Sequence, residues 1–513
     1  MHRAALLLAA LLAACQVRTD GARCDSDSNC PSGQACGNDR TCSARAAACA
    51  ATRCAPGATR CGTQGAVERC TDADKTCGAW TAEPCNAGLT CGSHSGAPAC
   101  ECLPPDGAVL VADPAGSASG ALPYPTGRDS PGCTFSRLGD ALAAAASAKQ
   151  AITVTARTGP FGDATSEAFP LEVAPDVTLQ GDGSGASIAT AAPVASSIVL
   201  LHAGATLRNV TLSNRVASAS SSTSAATAGV ALACDPAPAP PPTGTLDGVT
   251  VDTNALTRGV SITCPASLTN VRVSGVQGPA LYVNPPDATY ETTVVGGRFG
   301  ESTTGVEVHG GVVRLSGPDG VSPDPFLGFA TPSLDIVSNA QHGVAVVGSG
   351  GIATALALDR VRIAGNGGTG IRVDDLASGS SLSIVQCEIS ANQASVDASL
   401  YASPARKAGG IILSQANGPP ALDFRGNLVA CNGQDQIGFF VVGNVNLAPP
   451  ACGTDSNVVR TRFTGQVAVF ASDYANVSVS NNYWIPDPPA YSAKQFVWQQ
   501  PCALPGNAPS TCP

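Results

Sequence analysis

One short phrase, a glycine followed by an aliphatic residue, a variable residue and a second aliphatic residue, recurs through the middle of the chain. It stands at Gly229-Val-Ala-Leu, Gly259-Val-Ser-Ile, Gly305-Val-Glu-Val, Gly343-Val-Ala-Val, Gly370-Ile-Arg-Val and Gly410-Ile-Ile-Leu. A second phrase accompanies it at variable distance: Leu207-Arg-Asn-Val-Thr-Leu, Leu246-Asp-Gly-Val-Thr-Val, Leu268-Thr-Asn-Val-Arg-Val, Leu358-Asp-Arg-Val-Arg-Ile and Ile384-Val-Gln-Cys-Glu-Ile. Both alternate apolar and variable residues with period two, the pattern of a short strand with one buried face. Asn214, Asn254, Asn339, Asn366 and Asn392 follow such strands and read as turn residues. A lone strand of this length cannot bury its apolar face, whereas stacked copies share one interior, so the repeat dictates a solenoid.

Composition agrees with a narrow stacked coil, because charged residues are only 13% of the chain and small and β-branched residues dominate. The formal net charge is −10, and no Lys/Arg run is present. Nucleic acid is therefore excluded as an expected partner.

The first residues bear on the compartment. His2 and Arg3 precede an apolar run from Ala4 to Ala14, too short to span a bilayer, which ends in Leu12-Ala13-Ala14-Cys15. This stretch resembles the bacterial lipoprotein signal peptide with its lipobox. The resemblance implies removal of residues 1–14, acylation of Cys15, a lipidated tether over 15–23 and a membrane attached through the lipid. Gln16 is not the Asp that holds lipoproteins of that family at the inner membrane, so an outer-membrane or cell-surface location in a Gram-negative bacterium is expected. An ordinary secretory signal cut nearby is the other reading.

Thirteen cysteines lie between Cys24 and Cys102, among turn formers and few large apolar residues. A segment that cannot build a core uses disulfides, each contributing about 2–4 kcal/mol. Residues 24–102 divide into two modules, resembling short cysteine repeats of bacterial surface and exported proteins. Asp25, Asp27 and Asn29 alternate like a calcium loop, but Cys30 and Cys36 stand where that loop needs its glycine and its glutamate. Zinc is disfavoured because exported thiols are oxidised and repeated C-x-x-C pairs are missing. No metal or other cofactor is expected.

Later cysteines can be paired by position. Cys234 and Cys264 sit five residues after Gly229 and Gly259. Stacked strands ~4.8 Å apart bring that slot within disulfide reach. Cys431 with Cys452, and Cys502 with Cys512, are expected to close local loops, and Cys133 to pair back to the amino-terminal cluster. Cys387 takes a valine slot and reads as an inert core residue.

Residues 103–150 read as a cap, with a strand at Ala108-Val-Leu-Val and a helix after Thr134, whose hydroxyl suits capping. Asp113-Pro, the Phe135 to Leu142 segment, Thr155 to Phe161, and Phe169-Pro-Leu followed by Val177-Thr-Leu resemble the amino-terminal part of a family of bacterial right-handed parallel β-helix proteins. That family belongs with the pectin-lyase-like folds and has no established chemistry. The implied fold is all-β: a right-handed parallel β-helix over 151–485, preceded by the disulfide-rich region and closed by a cap over 486–513. Insertions such as Ser218 to Gly229 and Asp235 to Gly244 must loop out, and the late aromatics from Phe440 to Trp498 seal the last coil or stack on sugar rings.

Enzymes of this fold use carboxylates and basic residues on an exposed strand face. The best cluster is Asp359, Arg360, Arg362, Arg372, Asp374, Asp375 and Glu388, of which Asp374, Asp375, Arg372 and Arg362 are the catalytic candidates, weak ones because exposed charges on a sheet pair without any catalytic role. His309 and His342 adjoin glycines and read as turn or surface residues. The expectation is a non-enzymatic envelope protein whose β-helix binds a glycan or a surface protein. The alternative is a polysaccharide lyase or glycoside hydrolase.

Overall fold

The computed structural model of the 513-residue chain describes residues 22–25, 29–32, 34–36, 40–44, 57–62, 66–71, 79–84, 90–92, 98–101, 109–114, 134–147, 151–183, 186–191, 194, 196–214, 227–234, 241–319, 334–348, 351–393, 408–415, 419–433, 435–441, 443–461, 468–471, 475–485, 491–492, 495–497 and 501–503. Two compact units are present: Met1–Pro105 with Ser117–Thr134, and Asp106–Gly116 with Phe135–Pro513. Cys15, Cys133 and Cys512 lie outside the described residues, as does most of the two insertions.

The first unit is built from short antiparallel strands. Gln34–Cys36 pairs with Cys42–Ala44, Val67–Thr71 lies between Thr59–Cys61 and Ala79–Glu83, and Thr90–Gly92 pairs with Ala99–Glu101. Disulfides Cys24–Cys36, Cys30–Cys42 and Cys61–Cys91 hold these pieces. The sulfurs of Cys24, Cys30 and Cys42 fall within 4.8 Å of one another. All three are oxidised, and a disulfide sulfur does not provide the thiolate that zinc requires.

The second unit is a parallel β-helix. Up to the coil that ends at Ala430, a coil supplies one strand to a twelve-stranded sheet and one long or two short strands to a twenty-two-stranded sheet, as in Ser197–His202, Thr206–Arg208 and Val210–Asn214; in the last coils Gly443–Asn446, Ala475–Ser478 and Gln495–Val497 form a separate three-stranded sheet. Register is strict. In the twelve-stranded sheet Val199, Val230, Val260, Leu281, Val306, Val344, Ile371 and Ile411 stack on successive coils, all at 4% exposure or less. A second ladder passes from Phe161 through Ile188, Leu212, Val251, Val273, Phe299, Ile336, Ile363, Ile389, Val429 and Val459 to Trp484. Pairing continues through Tyr491–Ser492 and Gln495–Val497, so the stack outruns the expected boundary at 485.

The asparagines after the strands turn inward rather than out. Nδ2 of Asn339 donates to Oδ1 of Asn366 at 2.8 Å, Asn366 to Asn392 at 2.8 Å, and Asn392 to Asn432 at 3.0 Å; Asn432 then donates to Oε1 of Gln436 at 2.8 Å. Each amide also serves the backbone. Asn366 Oδ1 accepts from the Asn339 main-chain N at 3.0 Å, and its Nδ2 donates to the Ile336 carbonyl at 3.2 Å. Both hydrogens and both lone pairs of the Asn366 amide are thus used, as a buried amide requires. A second amide ladder joins Asn427, Asn457 and Asn482. Asn254 departs from the expected set because it is exposed, the inward position being held by Thr253.

Close packing explains the recurring glycine: a Cβ on Gly229, Gly259, Gly305, Gly343 or Gly370 would lie within 2.8 Å of an aliphatic side chain of the second ladder. A Cβ on Gly343 would lie 2.6 Å from the Gly370 carbonyl oxygen and 2.8 Å from Asn366 Nδ2, and one on Gly370 would lie 2.7 Å from Asn392 Nδ2. Space, not backbone conformation, excludes a side chain there.

Helix α1 (Leu138–Ser147) covers the first coil, burying Leu138, Ala141, Leu142, Ala144 and Ala145 against strands that include Leu171–Val173 and Ile152–Ala156. Its cap is not Thr134, which lies in the short strand Thr134–Phe135. Glu167 does that work: its two carboxylate oxygens accept from the Leu138 and Gly139 main-chain N–H groups at 2.6 and 3.0 Å. Cys234 and Cys264 are joined, with Cα atoms 5.4 Å apart.

The two local loops expected near the carboxyl end do not form. Cys452 is bonded to Cys502 across 50 residues, and Cys431 is disulfide-bonded too. One coil advances the chain by tens of residues while moving it ~4.8 Å along the stack, so nearness in sequence is a poor guide to pairing. Cys387 is fully buried and donates to the Val385 carbonyl, and burial pushes its thiol up to about 12, so no nucleophilic thiolate forms.

Asn366→Ala is expected to lower unfolding free energy by about 1–3 kcal/mol, since it strands ladder partners in the interior. Asn254→Ala should stay within about 0.5 kcal/mol of the native protein. Urea denaturation of the two variants checks the difference.

Candidate functional site

The expected catalytic set is divided between two sheets. Arg372 and Asp374 lie on the twelve-stranded sheet, with Arg372 Nε donating to Asp374 Oδ2 at 2.6 Å. Arg362 and Glu388 lie on the twenty-two-stranded sheet, paired at 3.7 Å, where Glu388 is 8% exposed and accepts from Ser390 Oγ at 2.6 Å. Asp359 and Arg360 stay with that second sheet as a 2.9 Å ion pair. Asp375 is an exposed residue with positive φ just past its strand. Alternation shows whether a side chain points in or out of its own strand but not which sheet carries it, so one apparent cluster was two.

On the outer face of the twelve-stranded sheet a different set comes together. The register places Ser261, Tyr282, Glu307, Ala345 and Arg372 in one outward row on successive coils. The Arg258 guanidinium lies 3.6 Å over the Tyr282 ring, and that ring is 5.0 Å from the His309 imidazole, centroid to centroid. His309 Nε2 shares a 2.7 Å hydrogen bond with Glu307 Oε1. The Arg372–Asp374 pair follows two coils on, with the buried Ala345 between. His342, just before Gly343, is close enough to feel Arg372, Asp374 and Glu307. Burial, and after it the Arg372 charge, holds the His342 imidazole below its ordinary value, so the ring stays neutral where a free histidine begins to charge.

The strip thus presents an aromatic plate backed by a guanidinium, two oriented imidazoles, two carboxylates and a second guanidinium, all half-buried or exposed. Its charges balance, and its ion pairs add little stability because solvent screens them. Arg258 and Glu307 were legible in principle. Glu307 and Arg372 both stand two residues after a phrase glycine, Arg258 and His342 one residue before, and His309 and Asp374 four after. Tyr282 escaped because its coil carries Ala280 in place of glycine. His309 and His342 lie just outside the strands Thr304–Val308 and Val344–Val347, at the turn positions expected of them, half-buried at the edge of the face.

Fold and face together define a parallel β-helix with an exposed polar and aromatic strip. No family model matches the chain, and no curated protein matches it. Among solved structures, the A-module of mannuronan C-5 epimerase AlgE6 from Azotobacter vinelandii is similar at 14% identity, covering 72% of this chain and 94% of that one, with a TM-score of 0.36. The AlgE4 A-module of the same organism gives 13%, the same coverage and 0.34. The periplasmic alginate epimerase AlgG gives 12% over 68% of this chain and 77% of that one, with 0.33. Likeness at this level leaves the strip to be read from its own residues.

A histidine held below its ordinary value favours the folded state above about pH 6.5. The unfolded chain takes up the proton first as pH falls, so that contribution is lost as pH drops through the folded value. Chemical denaturation from pH 7.5 downward should therefore show stability falling on the acid side, with a shallower fall in His342→Gln. Equal slopes in the two proteins would refute the assignment.

Proposed function

We propose that the chain is an extracytoplasmic, lipid-anchored binding protein that holds a polysaccharide on the outer face of its twelve-stranded sheet. The observation that carries this reading is the Arg258–Tyr282 stack beside the Glu307–His309 pair. An aromatic plate takes the C–H face of a sugar ring, and neighbouring charged groups take its hydroxyls. Strands ~4.8 Å apart repeat such groups along the axis, so an extended polymer meets several coils at once. The disulfides support an oxidising compartment. The lipobox-like Leu12-Ala13-Ala14-Cys15 supports attachment to the outer membrane or cell surface.

The second reading is a polysaccharide lyase or glycoside hydrolase acting on the same face. It is favoured by the phenol of Tyr282 next to an imidazole oriented by Glu307, an arrangement suited to moving protons.

Affinity electrophoresis against neutral and acidic polysaccharides should retard the protein on at least one polymer, with Tyr282→Ala weakening retention at least about tenfold. Shortening of the polymer that stops in His309→Ala would replace binding with catalysis. Neither retention nor shortening across the panel would count against both readings. For the anchor, Cys15→Ala should move the protein from the membrane to the soluble fraction; continued membrane retention would contradict lipidation at that residue.

A further inference from the structure

Within the second unit, helix α1 and the adjoining coils line an open pocket of about 610 Å3 that shares no residue with the Tyr282 strip. The volume lies inside the range of roughly 300–1,000 Å3 usual for small-molecule sites. Leu142, Ala146, Pro170 and Ala174 give it an apolar floor. Four polar side chains line it as well: Arg137 and Asp140 at the start of the helix, Glu172 on the strand Leu171–Val173, and His202 on the strand Ser197–His202 of the next coil.

Arg137 is the informative member. Its Nε is buried and has no hydrogen-bond partner among the described residues. The carboxylate of Asp140 stands 3.8 Å from its Nη1, too far for a hydrogen bond. The side chain as a whole is 28% exposed, so guanidinium N–H groups other than the buried Nε are free to meet an acceptor that a ligand brings.

The signs of the lining groups select the ligand. One guanidinium is set against the carboxylates of Asp140 and Glu172, so an anion meets two repulsive groups for one attractive group. A compact cation loses in turn to Arg137 and finds nothing on the apolar floor. A neutral ring with adjacent hydroxyls meets every requirement: its O–H groups donate to the carboxylates, its oxygens accept from Arg137, and its C–H face covers the floor. We propose that this cavity is a binding site for a neutral pyranose, either a free monosaccharide or the terminal unit of a neutral glycan. It is independent of the polysaccharide reading of the strip.

The test is ligand-observed NMR on the full chain with D-glucose, D-galactose and D-mannose, the linear hexasaccharides of glucose and mannose, and D-glucuronate as the charged control. At least one neutral sugar should bind about tenfold or more tightly than D-glucuronate. Binding of a monosaccharide identifies a free-sugar site, and binding of hexasaccharides alone identifies a chain-end site. Ala143→Trp projects a bulky ring into the cavity from an exposed helix position and should reduce binding at least about tenfold. Glu172→Gln, at an exposed strand position, should weaken binding in the same direction and gives the answer if the tryptophan variant does not fold. Binding that the cavity variants weaken belongs to this site, whatever the strip retains. The proposal is overturned by glucuronate binding as tightly as the neutral sugars, by no binding of any probe, or by binding that survives both cavity variants.

Discussion

The second unit depends on hydrogen bonding between side-chain amides in its interior. Where a coil turns a corner, main-chain groups face inward and cannot all pair within their own coil. Asn339, Asn366, Asn392 and Asn432 meet that need by reaching from one coil to the next: Oδ1 of Asn366, Asn392 and Asn432 each accepts from the main-chain and side-chain N–H groups of the preceding asparagine, and Oδ1 of Asn339 from the Ser302 main-chain N. A buried amide missing a partner is expensive, so an alternative register that breaks the ladder is penalised at every corner. The aliphatic stacks supply the larger driving force, but apolar burial alone does not distinguish one offset from another.

That fixed register decides what the surface can do. Because Val306, Val344 and Ile371 are locked in one column, Glu307, Ala345 and Arg372 form one row outside it. The recurring glycines let the backbone approach the second aliphatic ladder, and the residues two and four places beyond them become the face. Interior and exterior are thus two readings of one phrase, and the polar and aromatic strip is as well ordered as the core that supports it.

Much of this was legible in the sequence. Period-two alternation gave the strands and the glycine phrase gave the coil spacing, because both follow from local geometry and burial. What stayed hidden depends on how coils meet. Asn366 looks like any turn residue until its neighbours one coil away are known. Glu167 caps a helix that begins 29 residues earlier in the chain, and no capping motif spans such a distance. Cys452 and Cys502 are brought together by the stack rather than by a short loop. Tyr282 was missed because alanine replaced the glycine that marks its coil, although Ala280 keeps the same inward alternation around Leu281.

Native-state hydrogen exchange in Asn392→Ala tests the coupling between coils most directly. If the amide ladder ties neighbouring coils together, the main-chain amides of Val306, Val344, Ile371 and Ile411 should lose protection together and by similar amounts. A loss confined to the coil that carries residue 392, with Val306 and Val344 as protected as before, would contradict the account.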